Sequence, residues 1–353
     1  MPRLITTILL ALAVVSVSSR ALATDDPYEA VYGDVARACQ KPGHHCWQQT
    51  LDDLRKLPPA STEREKQGYL LSYYMISKFA YWVGDNDEAK HLFTQAMQLA
   101  KGIEIDKGVT AEPVVTLDAV PVYLITRDYP KALGLLDQAQ SGFARYATDG
   151  QQPAPLEMDV FRAASLIGLR RDEDADALLE QILGRLDFNE RVPFEEWGVG
   201  PEPVDPYAFG RRVAARYFRE GRTQDALSLL DLLDAKRAKA MAVKLQPGEI
   251  PVPTWAERTD VAELLYDRAV IQLSQGKPDV AAELFNRVLS RHKDDASAMR
   301  KHALLRLAKI KRDVGKLDES NTLQTAGEKI VVVEEPRTPD PLADTLGWID
   351  ERQ

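Results

Sequence analysis

The first side chains in this sequence that could carry chemistry form a small cluster near its start. Cys39 and Cys46, the only two cysteines, flank the sequence Gln-Lys-Pro-Gly-His-His. Thiols and imidazoles can hold zinc, but the adjacent His44 and His45 are expected to point apart, and oxidised sulfur is a poor ligand. A lone cysteine pair in an oxidising compartment normally forms a disulfide, and the spacing is not the C-x-x-C of redox enzymes. We therefore predict a Cys39–Cys46 disulfide and neither a metal site nor a cofactor.

A second cluster is acidic and lies in the proline-rich segment 189–207. It contains Glu195, Glu196 and Asp205, with Trp197 beside them. Two carboxylates near an aromatic ring could hydrolyse a glycosidic bond, as helical-barrel enzymes of the periplasm do on polysaccharides. The alternative is a solvated acidic loop in an acidic protein, and we favour it because the sequence contains no other catalytic motif. We predict a protein that is not an enzyme, and keep a polysaccharide-active enzyme or glycan-binding protein as the alternative.

Composition narrows the class of partner. The chain has 353 residues, is 44% hydrophobic and 28% charged, and carries a net charge of −9. These values are typical of a globular protein. Nucleic acid binding requires a cationic footprint, and no long run of Lys and Arg is present. We therefore expect no nucleic acid partner.

The segment 1–23 has the features of a secretory signal peptide. Arg3 precedes an apolar stretch from Leu4 to Val17, and Ala21-Leu22-Ala23 is a typical cleavage site. The apolar stretch is shorter than the roughly 20 residues that a membrane span needs. We predict cleavage after Ala23 and a periplasmic protein without a membrane span, with an extracellular location as the less expected outcome.

A repeat extends over most of the chain after the cysteine pair. Six turns recur along the chain, and each is followed five positions after its start by a small residue, namely Ala89, Ala132, Ala175, Ala226, Ala281 or Ser320. Seven positions before each turn lies Ser77, Val120, Ala163, Ala214, Ala269 or Ala308, where Val120 is the exception to the small size. Two helices approach to about 8 Å only where the facing side chains are small. The pattern therefore predicts antiparallel helix pairs joined at these turns.

The pattern resembles the tetratricopeptide repeat, in which helix pairs touch through small residues. The likeness covers roughly the segment 66–327. It departs from the family in length, because every interval between successive turns is longer than the family period of about 34 residues. The turns begin at Gly84, Arg127, Arg170, Gly221, Gly276 and Gly315. The resemblance implies an all-α fold, a right-handed α-solenoid of antiparallel helix pairs, and binding to other proteins without covalent chemistry.

These observations predict four segments. They are a signal peptide (1–23), an N-terminal helical hairpin tied by the disulfide (24–65), a tetratricopeptide-like region (66–328) and an extended tail (329–353). Ile330 to Val333 is either a short strand or part of that tail. Apolar residues at 342, 346 and 349 share one helical face. This short amphipathic segment either docks on its own solenoid or is held out for a partner.

We predict that a partner binds to the concave surface of the solenoid and to an edge formed by long connections rich in Trp and Pro. The insertions 189–207 and 245–258 are rich in proline, and loops of this length in a helical fold are often functional. Aromatic side chains on a rigid scaffold are suited to binding, so we name Trp197, Tyr207, Trp255 and Trp348 as candidate contacts. The alternative for the two insertion tryptophans is that each fills the groove between widened repeats. The predicted partner is another periplasmic or envelope protein or a peptide, and no oligomeric state is predicted.

Overall fold

A computed structural model describes residues 46–106, 109–146, 155–188, 204–242, 254–292, 297–332 and 339–349. The predicted signal peptide and the first helix of the N-terminal hairpin lie outside these residues. So do Cys39, Glu195, Glu196, Trp197 and the side chain of Cys46. The disulfide and the cleavage site therefore stay predictions.

Helices form almost all of the regular structure in the described residues, and twelve of them make six consecutive pairs. Helix α1 (Cys46–Lys56) comes first, and pair 1 is α2 (Glu63–Trp82) with α3 (Asn86–Ala100). Pair 2 is α4 (Glu112–Ile125) with α5 (Tyr129–Tyr146), and pair 3 is α6 (Leu156–Gly168) with α7 (Asp172–Arg185). Pair 4 is α8 (Pro206–Arg219) with α9 (Thr223–Met241), followed by the short α10 (Trp255–Arg258). Pair 5 is α11 (Val261–Ser274) with α12 (Pro278–Arg291), and pair 6 is α13 (Ala298–Asp313) with α14 (Leu317–Glu328). The last helix is α15 (Ala343–Leu346).

Small side chains hold each pair together, as the sequence predicts. All six post-turn small residues and all six pre-turn residues, including Val120, have no exposed surface. In pair 6 the contact is direct, because the Ser320 hydroxyl donates a hydrogen bond of 2.8 Å to the Ala308 carbonyl oxygen. The large residues four positions after the small ones are buried in five pairs: Phe93, Leu136, Leu179, Leu230 and Phe285. The predicted helix pairs are therefore confirmed.

The six turns within the pairs share one backbone geometry. In each, the amide of the second turn residue donates to the carbonyl oxygen five residues earlier, at 2.8–3.1 Å, which is the Schellman closure of a helix end. The residue before that amide has a positive φ, from 71° to 82° at four glycines but 59° and 60° at Arg127 and Arg170. Only glycine adopts this conformation without steric cost, so two turns carry backbone strain.

A capping box fixes the start of α2, the first helix of pair 1. The Glu65 amide donates to the Thr62 hydroxyl oxygen at 3.2 Å, and the Thr62 amide donates to a Glu65 carboxylate oxygen at 3.0 Å. Hydrogen bonds from Thr62 and Ser61 lower the pKa of Glu65 from 4.5 to about 2. The helix that follows is buried on nearly all sides, because α1 and α3 both contact it.

The contacts divide the chain into two compact units. Unit 1 comprises Met1–Ile182, Pro193–Pro203 and Pro336–Thr345, and unit 2 comprises Leu183–Val192, Val204–Glu335 and Leu346–Gln353. In unit 1, α3 packs against α4 and α5 against α6. In unit 2, α9 packs against α11 and α12 against α13. The second helix of one pair thus packs on the first helix of the next, so the α-solenoid class is confirmed, whereas the right-handed superhelix stays a prediction.

Two further features complete the described fold. Between pairs 1 and 2, the strands β1 (Glu104–Asp106) and β2 (Val109–Thr110) form a small antiparallel hairpin. Residues 330–332 adopt no regular secondary structure, so the part of the Ile330–Val333 run that the structure describes is not a strand. Of the helices in the described ranges, none combines the length and the apolar character that a membrane crossing requires.

Candidate functional site

Within each unit, the first helices of successive pairs lie side by side and form the candidate site. We call them the first-helix row of that unit: α2, α4 and α6 in unit 1, and α8, α11 and α13 in unit 2. In unit 1 α4 contacts α6, and in unit 2 α8 contacts α11 and α11 contacts α13. Positions along each helix are counted from its pre-turn small residue, or from Val120 in pair 2. At three places, a residue at position −3 of one helix is hydrogen-bonded to a residue at position −2 of the next first helix in the same unit.

In unit 1 this meeting places an acid in the interior. The Tyr74 hydroxyl at position −3 of α2 donates to a carboxylate oxygen of Asp118 at position −2 of α4. The Lys78 ammonium lies 3.7 Å from the same oxygen. Only 3% of the Asp118 side chain is exposed, and this burial raises its pKa against the opposing effect of Lys78. The Lys78 ammonium also lies 5.5 Å from the ring centroids of both Tyr74 and Trp82.

In unit 2 the same two positions carry a guanidinium and a carboxylate. Arg211 Nε at position −3 of α8 donates to Asp267 Oδ2 at position −2 of α11, at 2.6 Å. The Arg211 Nη1 donates to a carboxylate oxygen of Glu263, one turn earlier on α11. Burial raises the pKa of Glu263, although the positive charge of Arg211 acts to lower it. Arg211 is therefore held in one orientation by two acids.

The third polar contact of this kind joins pairs 5 and 6. Arg306 Nε at position −2 of α13 donates to the hydroxyl oxygen of Tyr266 at position −3 of α11, at 3.2 Å. The Tyr266 ring packs edge-on against Phe285, with ring centroids 5.6 Å apart. Between pairs 2 and 3 the same positions are apolar, since they hold Leu117 and Phe161. The sequence reasoning missed these contacts, although counting two and three residues back from each small residue identifies their partners.

The first part of the C-terminal segment belongs to unit 1 and makes polar and apolar contacts there. In unit 1 Arg127 binds both carboxylate oxygens of Asp344, at 2.8 and 2.9 Å, and the Tyr81 hydroxyl donates to the Pro339 carbonyl oxygen at 2.9 Å. Leu342 packs against the core of the same unit. The tail thus docks on its own chain, which is one of the two alternatives that the sequence left open.

In unit 2 the tail places a tryptophan on the first-helix row. The centroid of the Trp348 ring lies 4.1 Å from Arg212 Cζ and 5.0 Å from Arg211 Cζ. The ring is only partly buried, whereas its neighbour Ile349 is buried. Cations over an indole ring attract its negative face. The predicted contact residue Trp348 is therefore engaged within its own chain.

Two of the other predicted contact residues are packed inside the protein in this conformation. Tyr207 is 2% exposed and packs edge-on against Phe188, with centroids 4.6 Å apart. Burial raises the pKa of the Tyr207 hydroxyl. Trp255 is 9% exposed and opens α10, which packs against α9. Neither ring is available to a partner in this conformation, so filling the space between widened repeats is the better assignment for Trp255. Trp197 lies outside the described residues.

Of the predicted acid cluster, only Asp205 lies among the described residues. Asp205 caps α8, because its Oδ1 accepts hydrogen bonds from the amides of Tyr207 and Ala208 at 2.8 and 3.1 Å. Its carboxylate therefore has a structural role that is independent of any reaction. Glu195 and Glu196 lie outside the described residues, as do His44 and His45. Within the described ranges, no three His, Cys, Asp or Glu side chains are placed to hold a metal.

Among known proteins, this chain is similar to several solved structures but matches no family profile. No protein-family profile matches the chain, and no curated protein matches it significantly. Among solved structures it is similar to a Rap protein complexed with competence and sporulation factor (12% identity, 91% of each chain covered, TM-score 0.48). The apo quorum sensor NprR from B. thuringiensis matches at 12% identity over 86% of this chain and 87% of that chain, with a TM-score of 0.44.

A third similar structure carries the repeat in its description. It is a putative kinesin light chain from Podosopora anserina with nearly identical TPR-like repeats, at 18% identity over 61% of this chain and 92% of that one, with a TM-score of 0.42. Structural similarity at this level does not indicate an activity or a partner. The tetratricopeptide-like character of the helix pairs rests on their buried small residues and their common turn.

Proposed function

We propose that this protein is a periplasmic scaffold or adaptor that binds another envelope protein or a peptide through the first-helix row of unit 2. The observation that carries the proposal is that this row already holds a polypeptide segment, since Trp348 of the tail lies on Arg211 and Arg212 of α8. The same side chains are suited to binding a segment of another protein. The mechanism is shape and charge complementarity, without covalent chemistry.

The side chains of the row in unit 2 support recognition rather than catalysis. The charge of Arg211 is matched by Glu263 and Asp267 on the neighbouring helix, and Arg306 donates to Tyr266. Pre-organised side chains lose little conformational entropy when a partner binds. Guanidinium groups and aromatic rings are also the groups that most often dominate the energetics of interfaces.

A pull-down from periplasm with chemical cross-linking tests the proposal. The test variant is Arg212→Glu, which reverses one charge of the first-helix row. The matched control is Arg287→Glu, which makes the same change at an exposed position on the second helix α12. We expect a specific partner to be recovered with the wild-type chain and the control but lost with Arg212→Glu. Equal recovery with all three chains would reject the row as the binding surface.

The compartment is part of the same proposal and has its own test. We expect mass spectrometry of the protein from the periplasmic fraction to find Thr24 as the first residue, since Ala23 ends the cleavage site. Titration of the denatured, unreduced protein is expected to find almost no free thiol. Full-length protein retained in the cytoplasm with two free thiols would contradict both expectations.

The enzymatic alternative is separated from binding by a direct assay. The purified protein is incubated with envelope polysaccharides, and the reducing ends produced are measured. We expect no turnover. Turnover that Glu195→Gln or Glu196→Gln abolishes would replace the scaffold proposal with the glycosidase alternative.

A further inference from the structure

The two consecutive guanidinium groups on α8 form a small aromatic-binding platform in unit 2. Arg211 and Arg212 both lie within about 5 Å of one indole ring, which is within the range of a cation–π interaction. Arg211 is nearly buried, with 11% of its side chain exposed, and two carboxylates on α11 fix its orientation. The position of Arg211 is therefore fixed by α11 and does not depend on the ring that covers it.

The Trp348 ring on the platform is held by a short segment in which Leu346 and Ile349 are buried. Trp348 is partly exposed, and it belongs to a terminal segment whose one helix in the described residues, α15, is a single short turn. In unit 1 the cation beside the corresponding contact is Lys78, at position +1 of α2, and it lies near two rings of its own helix, Tyr74 and Trp82. In unit 2 the described residues supply that ring from the end of the chain.

We propose that Arg211 and Arg212 form the recognition site for an aromatic residue of the protein's partner, and that Trp348 occupies this site until the partner displaces it. The partner segment has the chemistry of the chain's own Trp348-Ile349-Asp350-Glu351, an aromatic residue followed by acids. Its ring takes the place of the indole on Arg211 and Arg212. This inference rests on the proposed function and names the chemistry of the ligand.

Tethering determines how strongly the tail competes. A segment joined to its site through a short linker acts at an effective concentration of about 1 mM. A partner peptide must overcome this concentration before it reaches the platform. Removing the tail's ring from the full-length chain should therefore increase the affinity for an added peptide by at least tenfold.

The test uses the full-length chain and a fluorescent synthetic peptide of residues 346–353, Leu-Gly-Trp-Ile-Asp-Glu-Arg-Gln. We expect Trp348→Ala to bind the peptide at least tenfold more tightly than the wild-type chain, as measured by fluorescence anisotropy. A peptide with its Trp replaced by Ala should not bind. Adding Arg212→Glu to the Trp348→Ala chain should abolish binding, whereas adding Arg287→Glu should not.

Two further measurements keep the result interpretable. Circular dichroism checks that each variant is folded, and Trp348→Leu provides a second variant that retains an apolar side chain. Equal affinity of the wild-type and Trp348 variants, or no binding by any of them, overturns the inference. If the cross-linked partner is nevertheless recovered and still depends on Arg212, the proposed function stands and only the displacement of Trp348 is rejected.

Discussion

The same pair of repeat positions builds a closed core in one unit and a covered surface in the other. In unit 1, Tyr74 and Asp118 meet at positions −3 and −2, with Lys78 beside them. In unit 2, Arg211 and Asp267 meet at the same positions. The first contact is surrounded by rings of its own helix, whereas the second lies beside a tryptophan of the C-terminal segment. The repeat position thus determines which residues are in contact. The residues around that contact determine whether it only stabilises the fold or can also bind another side chain.

The difference has an electrostatic cause. The carboxylate in unit 1 has an aromatic hydroxyl and an ammonium as partners, and its pKa is raised by burial. The guanidinium in unit 2 has two acids as partners and still faces the Trp348 ring. Arginine can stack on a ring and hydrogen-bond in its own plane at the same time. This capacity allows the contact in unit 2 to be both a link between helices and a platform.

The largest effect should come from Asp118→Ala in unit 1. The substitution leaves the Lys78 ammonium, 11% exposed, without its carboxylate, and losing one partner of a buried ion pair costs about 3 kcal/mol. Urea unfolding should show this loss in the free energy of unfolding. The double variant Lys78→Met with Asp118→Leu should recover most of it, because no buried charge remains. A loss for Asp118→Ala below about 0.5 kcal/mol, the size expected of an ordinary surface substitution, would show that this contact is not a closed core.

The corresponding change in unit 2, Asp267→Ala, should have a smaller effect. Arg211 keeps its contact with Glu263, so we expect a loss of about 2 kcal/mol. The control is Glu263→Gln, which retains an acceptor for the Arg211 guanidinium and should change stability less. A larger loss in the free energy of unfolding for Asp267→Ala than for Asp118→Ala would contradict the expected order of the two contacts.

The turns provide a comparison in which unit 1 should gain stability. Arg170 lies in the turn after α6 with a φ of 60°, whereas Gly315 occupies the equivalent position in unit 2 with a φ of 77°. Arg170→Gly should raise the free energy of unfolding by about 1 kcal/mol, since only glycine accepts this conformation without strain. The reciprocal Gly315→Arg should lower it by a similar amount. A lower thermal unfolding midpoint for Arg170→Gly would show that the positive φ at Arg170 does not destabilise the protein.

The smallest effect should be the pH dependence of the capping box in unit 1. Because the folded-state pKa of Glu65 is lowered from 4.5 to about 2, its charge stabilises the folded protein above about pH 4.5. That contribution is lost as the pH falls from 4.5 towards 2. The stability difference between the wild-type chain and Glu65→Gln should therefore be constant above pH 5 and shrink below pH 4. A difference that grows on acidification would have the wrong sign.

The sequence predicted the helix pairs because their contacts depend on local spacing. A small residue at a fixed distance from a turn, such as Ala226, is sufficient for two helices to approach, and all six such positions are buried. The polar contacts between neighbouring first helices could also have been found from the same register, since Asp118 and Asp267 lie two residues before Val120 and Ala269. They were missed because charged residues on a helix are usually taken as solvated.

The site residues were harder to predict because aromatic rings serve cores and interfaces equally well. Tyr207 and Trp255 lie in or beside proline-rich insertions, yet both rings are buried. No local spacing indicates that Trp348 meets Arg211 and Arg212, because two further helix pairs separate them along the chain. Arg127 and Arg170 likewise occupy positions at which glycine is expected. Long-range contacts and strained backbones of this kind depend on the packed structure and not on sequence patterns.

Site-specific photo-cross-linking most directly tests whether the first-helix row of unit 2 binds the partner. A photoreactive residue is placed either at Lys309, which is exposed on the first helix α13, or at Val280, which is exposed on the second helix α12. Each chain is irradiated in intact cells, and covalent adducts are identified by mass spectrometry. We predict that one protein is trapped from position 309 and not from position 280. Trapping from position 280 alone would place the partner on the second helices and contradict the account.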